Sequence, residues 1–546
     1  MEKEINKNQL FAGRRSMIGQ CSTAIGSLLL FSSFRNKRKP GKTDNSAATF
    51  DVKKYGATGR RSDNATLAFH DAIKACVARG GGLVNVPPGD YTVGTIELRD
   101  NMTLHIEAGA TLFLSQSAHD FRRDPERSMI YAENAKNIAV TGKGTLNGLA
   151  QYDFTEMTGI DPDIAKEIDI AKAAGVDMRR YYRRHGAMNT YMFVLNDCIN
   201  ILLRDITVIN SPLWNIRLND CDGVHVEGVY IFSDLEKGVN ADGIDIVSTS
   251  NVCISDSTFV TGDDSIVLKT ISKNGKPAKP VENVTVTNCV LTSSSTPLMI
   301  GTETEADIRH VLFNNCVIRN SNKGFGINVQ DGANVSDVII SNLTIETNRR
   351  HWNWWGDAEM CRFILHKRKP ASKLGVIRDI IIDNIIAHTR GTSTITGHPD
   401  QPVENITMSN VQIFMNPENK KDKRCTDALK IENVLGLKIR DLTVKWSDET
   451  EEKWKSAISM KKVTDFNIGS FEGRQGLKNS EEPAIWMDDV SDGTIRDSRA
   501  AKGTGVFIRL SGKESKDIIL RNNDTKKAGR RIVFSDEELK KETEIN

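Results

Sequence analysis

The sequence predicts an all-β protein built as a parallel β-solenoid, and three observations carry that expectation. A short motif repeats: Leu195-Asn196-Asp197-Cys198 returns 23 residues later as Leu218-Asn219-Asp220-Cys221. Asn288-Cys289, Asn315-Cys316 and Asn342-Leu343 then recur at intervals of 27 residues. Around such positions lie short alternating strands: VENVTVTNCVL, IRHVLFNNCVI, VSDVIISNLTI, IRDIIIDNIIA and VENITMSNVQI. One period-2 strand per coil, each closed by Asn, Asp or Gly, cannot bury its apolar face alone. Stacked coils bury it by setting equivalent Val and Ile residues above one another, ~4.8 Å apart. The recurrent asparagines then fall into register, where an Asn side chain can bond along a ladder. A two-sheet sandwich is the competing architecture, but it needs tight two-residue hairpin turns, which are sparse here.

The elements follow in chain order. Residues 1–45 read as an export signal and linker: Gly13-Arg14-Arg15-Ser16 precedes a moderately apolar run from Met17 to Phe34, as in a twin-arginine leader. That places the protein in the periplasm or outside the cell, with an N-terminal membrane anchor as the alternative. The run contains Gln20, Cys21, Ser22 and Thr23 and makes a poor span, so no membrane span is expected in the mature chain. Asn64 to Arg79 reads as an amphipathic helix capping the solenoid, with Leu67, Ala68, Ala72, Ile73, Cys76 and Val77 on its apolar face. The solenoid is expected over 46–525. Residues 149–188 interrupt it as a lateral excursion carrying Tyr181, Tyr182 and His185, and the charged residues 526–546 are set apart as a tail. A length of 546 residues would ordinarily suggest about three to four domains. A solenoid grows lengthwise, so a single domain can absorb the body.

Charge and cysteine usage narrow the function. The net charge is +2, but residues 1–45 hold nine Lys/Arg against three acids, leaving 64 basic and 68 acidic residues in the body. A mildly acidic body argues against a nucleic-acid binder. The nine cysteines are scattered without a CxxC pair, and there is no HExxH, so zinc-site spacing is absent; the favoured reading carries no metal or cofactor. They read as mostly free, buried thiols. A monomer is expected.

Two carboxylate motifs mark the chemistry: Asn240-Ala241-Asp242-Gly243-Ile244-Asp245 and Gly262-Asp263-Asp264-Ser265. The 21 residues from Asp242 to Asp263 are close to one coil, which puts the motifs on neighbouring rungs of one face. Carboxyls so placed repel, and one is expected to hold a proton at neutral pH. A protonated carboxyl beside an ionised one is what glycoside hydrolysis requires. Turn-capping aspartates, or a calcium site, remain open on this pattern alone.

The stretch from Thr49 to Ser115 resembles the N-terminal region of the polygalacturonase family, glycoside hydrolase family 28. So do NIAVTGKGTLNG at 137–148, NSPLWNI at 210–216, NADGIDI at 240–246 and TGDDSIVLK at 261–269, in order over roughly residues 49–350. The resemblance implies a single-stranded right-handed parallel β-helix and inverting hydrolysis of pectin backbones. Asp263 would be the general acid, and Asp242 and Asp264 would activate water. The departures are specific. Ser294-Ser295-Thr296-Pro297 stands where the family has Gly-His-Gly, and Gly326-Ile327-Asn328 where it has Arg-Ile-Lys. Those family cations grip a galacturonate carboxylate, so a branched or mixed pectin is expected as substrate in place of plain polygalacturonan. Candidate substrate-binding residues are Asn240, Asp245, Lys269, Glu303 and Asn328, with His351, Trp352, Trp354 and Trp355 as a saccharide platform. Lys269 is a candidate cation for a uronate. A β-helix polysaccharide lyase and a non-catalytic glycan-binding solenoid are the alternatives.

Overall fold

The computed structural model describes residues 48–121, 126–152, 154–156, 190–273, 275–350 and 356–546, and within 157–189 only 169, 172–173, 175 and 182–184. The leader, Tyr181, His185, His351, Trp352, Trp354 and Trp355 lie outside the described residues, and only the backbone of Tyr182 is described.

Strands pair in parallel with the strand one coil later, as stacked alternating segments require. On one face Phe193, Ile216, Ile244, Ile266, Leu298, Phe325 and Cys361 follow one another in register. Two residues on, an inward column runs Leu195, Leu218, Ile246, Leu268, Ile300, Ile327, Phe363, Ile395 and Ile431. Every member of that column is fully buried. Each such side chain stabilises the fold by about 1.5–3 kcal/mol relative to exposure, so the column is a continuous core. The fold is therefore a parallel β-helix, and no sandwich forms.

The corners explain the asparagines. Asn288, Asn315, Asn342, Asn384 and Asn410 all take left-handed φ angles between 50° and 57°. Asn tolerates this conformation because its short polar side chain bonds locally. The side chains also bond between coils: Asn315 donates to Asn288 at 3.2 Å, Asn384 to Asn342 at 2.6 Å and Asn410 to Asn384 at 2.9 Å.

The capping helix spans Thr66–Ala78. Its buried face is Ala68, Phe69, Ala72, Ile73 and Cys76, with Phe69 edge-on to Tyr91 at 6.0 Å. Leu67 and Val77, expected on that face, are 76% and 45% exposed. The i, i+3, i+4, i+7 stripe runs through Phe69, Ile73 and Cys76 and leaves both aside. The excursion begins and ends on an antiparallel ladder between Phe154–Glu156 and Tyr182–Arg184. The charged residues after 525 continue the solenoid: Ala528–Phe534 pairs with Thr504–Ser511, and Thr543–Ile545 with Lys516–Arg521. Alternation within Arg531-Ile532-Val533-Phe534 is masked by the surrounding lysines and acids. Cys76, Cys198, Cys221, Cys289, Cys316, Cys361 and Cys425 are buried, Cys253 half-buried, and none of these eight is bridged. No helix among the described residues is long and apolar enough to cross a membrane.

Candidate active site

The register fixes the carboxylates. Two residues ahead of the aligned row from Phe193 to Cys361 stand Tyr191, Trp214, Asp242, Asp264, Thr296, Lys323 and Glu359 in successive coils. Backbone bonds carry this alignment past the strand ends, from Gly243 N–H to Asp264 C=O and from Ser265 N–H to Thr296 C=O. Asp242 and Asp264 are thus vertical neighbours, and Asp263 joins them from the adjoining turn. One carboxylate oxygen from each of the three lies within 4.8 Å of the others.

All three are buried, and so is Asp245. Burial first, then the charge of Asp264, pushes Asp263 up to about 8, so it holds a proton at neutral pH. Burial, then Asp263 and Asp245, raises Asp242 well above the carboxylate range. Asp264 accepts a hydrogen bond from the Thr296 N–H at 2.9 Å, and Asp263 one from the Asp264 N–H at 2.8 Å. Asp242 Oδ1 is enclosed without a hydrogen-bond partner. The trio therefore joins a proton-bearing Asp263 to Asp264, which the Thr296 N–H holds in place, with Asp242 enclosed beside them, equipment for acid–base chemistry on one bond.

Lys269 sits at the centre of this charge. Its Nζ is 2.8 Å from Asp245, 3.8 Å from Asp242 and 3.8 Å from Glu303, and lies 4.0 Å above the Trp214 ring. Burial works to lower its pKa, but Asp245, Asp242 and Glu303 outweigh it and raise the pKa well above the ordinary lysine value. Asp245 is itself pushed up to about 6, burial outweighing the opposing pull of Lys269. Lys269 thus serves first as countercharge to protein carboxylates. Three carboxylates this close also have the spacing to hold a metal ion. With the Lys269 ammonium already beside Asp242, the countercharge is in place without one.

The other expected residues divide. Asn240 is half-buried in a left-handed turn (φ 59°) two residues before Asp242. Glu303 lies at the rim, 3.8 Å from Lys269 and 3.9 Å from Arg368. Asn328 is 8% exposed with its Oδ1 enclosed and unpartnered. At Gly326, the lost arginine position, a Cβ would meet Met299 Sδ at 2.9 Å, so a side chain there would require Met299 to move. Arg362, opposite Gly326 on the next coil, is held by Glu359 at 2.6 Å and Asp357 at 3.0 Å.

Sequence reasoning passed over the wall below the cluster. Tyr191 and Trp214 meet edge-to-face at 5.9 Å, and Arg217 lies 5.4 Å and 5.3 Å over their rings. The signal was present, since Trp214 stands two residues before its strand just as Asp242 does. The same count finds Lys323.

Comparison with known proteins agrees with the parallel β-helix fold. The family model described as glycosyl hydrolases family 28 matches residues 76–434. An exo-poly-alpha-D-galacturonosidase of Dickeya chrysanthemi is 26% identical over 303 residues, 48% of this chain and 49% of the relative. An endo-polygalacturonase of Pectobacterium carotovorum subsp. carotovorum is 24% identical over 45% of this chain and 66% of its own. The chain thus spans about half the length of the first of these relatives. Among solved structures, a family 28 exopolygalacturonase of Yersinia enterocolitica superposes with a TM-score of 0.61 at 18% identity, covering 77% of this chain and 78% of that one. An exopolygalacturonase of Thermotoga maritima gives 0.59 at 22% identity, covering 75% and 93%. At these identities the superpositions establish the fold.

Proposed function

Because the chain belongs to glycosyl hydrolases family 28, we propose that it hydrolyses glycosidic bonds in an acidic pectic polysaccharide, with Asp263 as general acid and Asp242 and Asp264 activating the attacking water. The observation that carries this reading is the buried carboxyl trio, gathered within 4.8 Å with Asp263 held protonated up to about pH 8. Asp263 protonates the leaving oxygen while the carboxylates beside it accept a proton from water. A lyase would place a cationic base at the cleavage point, whereas Lys269 is tied to Asp245 and this site offers acids.

Plain polygalacturonan is a poor match. Gly326 and Asn328 remove two cations, Thr296 stands in place of the family's histidine, and Met299 packs against Gly326. A branched or mixed polymer such as rhamnogalacturonan fits better, with Trp214 and Tyr191 offering aromatic surface beside the acids. An intact polymer of this kind is met outside the cytoplasm, in keeping with the twin-arginine-like leader.

Inversion is the outcome the family resemblance implies. Proton NMR of the first product released from defined pectic oligosaccharides decides. An initial product of inverted anomeric configuration supports the water-activating roles of Asp242 and Asp264. Retained configuration replaces them with a nucleophile, and unsaturated product would establish a lyase.

A further inference from the structure

Lys323 is a buried cation for which the reaction described above has no use. It is 6% exposed, and among the described residues it makes no ion pair or hydrogen bond. Its stem is clamped: Gly356 packs so closely that a Cβ there would lie 2.9 Å from Lys323 Cγ. Lys323 continues the column of Asp242, Asp264 and Thr296, with Glu359 next. Thr296, short, is the column residue between Lys323 and Asp264, which lies two rungs, roughly 10 Å, below.

An ammonium left in a protein interior without a countercharge is strongly disfavoured. The charges of Glu359, Asp264 and Asp263 act on Lys323, but none comes within ion-pair distance, while Arg362 repels it; burial, the largest influence, lowers its pKa. Arg362 and Lys269 both have carboxylate partners of their own. Among the three described cations Lys269, Lys323 and Arg362, Lys323 is the one whose countercharge is missing. We propose that Lys323 binds a carboxylate of the substrate, taking over, from the turn that leads into the same strand, the role lost at Gly326 and Asn328, so that the enzyme recognises a uronate displaced toward the C-terminal side of Asp263. This deepens the pectic-hydrolase reading and rests on it.

Binding separates the two. In an Asp263→Asn background, affinity is measured by calorimetry for a defined rhamnogalacturonan oligosaccharide and for its carboxyl-reduced, uncharged counterpart, with and without Lys323→Met. One charge-assisted contact corresponds to about ten- to a hundredfold. Lys323→Met is expected to weaken the acidic oligomer by that factor and leave the reduced one within about twofold, and Lys323→Arg to recover part of the loss. Equal weakening of both oligomers, or no weakening of the acidic one, overturns the proposal. Thermal melts of both Lys323 variants confirm that the comparison is between folded proteins. Failure of the hydrolase reading shows elsewhere, as absence of product from the unmutated enzyme, and leaves the affinity comparison decisive for Lys323.

Discussion

At the scale of single residues, the site depends on unequal treatment of chemically identical carboxyls. Asp263 is pushed up to about 8 chiefly by burial, while Asp264 beside it is anchored by the Thr296 N–H. If Asp263 is the acid, kcat falls as pH rises through about 8, where the proton leaves. The same shift has a stability consequence of opposite sign to the usual acidic group. Because the folded pKa is raised, the group's contribution is fully present below the unfolded value near 3.8 and is lost as pH rises toward about 8. Asp263→Asn is therefore expected to melt higher than the unmutated protein at pH 8, with the difference vanishing near pH 3. Lys269 makes the converse case. Lys269→Met strands Asp245 and Asp242 without a countercharge, and breaking such a buried pair costs about 3–5 kcal/mol; a denaturant midpoint unchanged within error would show that Lys269 is no structural countercharge. The two aspartate motifs were legible because NADGID and GDDS are contiguous. The partners of Lys269 were not, since Asp245, Asp242, Glu303 and Trp214 meet only through register across coils.

At the scale of elements, the coil is specified by its corner as much as by its strands. Asn384 combines a left-handed φ of 54° with ladder bonds to Asn342 and from Asn410. Asn384→Ala is expected to cost about 1–3 kcal/mol through backbone strain and lost hydrogen bonds. Asn384→Gly should recover the strain component, and equal losses in the two variants would mean that the ladder alone matters. Strand segments such as Val281–Thr287 and Ile308–Asn314 were readable because alternation and closing asparagine coincide. The capping helix was readable in extent but not in facing: counting Leu67 and Val77 as core took hydrophobicity for position, whereas the stripe is set by Phe69, Ile73 and Cys76. The residue two before each strand is the hardest to see. It belongs to a turn, so no periodicity marks it, yet it supplies Trp214, Asp242, Asp264 and Lys323.

At the scale of the whole molecule, one long parallel helix replaces the several domains that length alone suggests. Its open ends present unpaired strand edges and apolar rungs, which are association hazards unless covered. The helix Thr66–Ala78 packs at the N-terminal end. At the other, Ala528–Phe534 and Thr543–Ile545 add the last pairings, so ending the chain after Thr525 is expected to lower the melting temperature and promote association by light scattering. A truncated protein with unchanged melting would return 526–546 to the status of a dispensable tail. As proposed above, this solenoid carries a hydrolytic site centred on Asp263. Release of reducing ends from defined pectic oligosaccharides by the unmutated enzyme and by Asp263→Asn tests it most directly. General acid catalysis contributes about 10²–10⁴ in rate, so turnover should fall by that factor while the fold persists; an Asp263→Asn enzyme within a few-fold of the original would contradict the assignment.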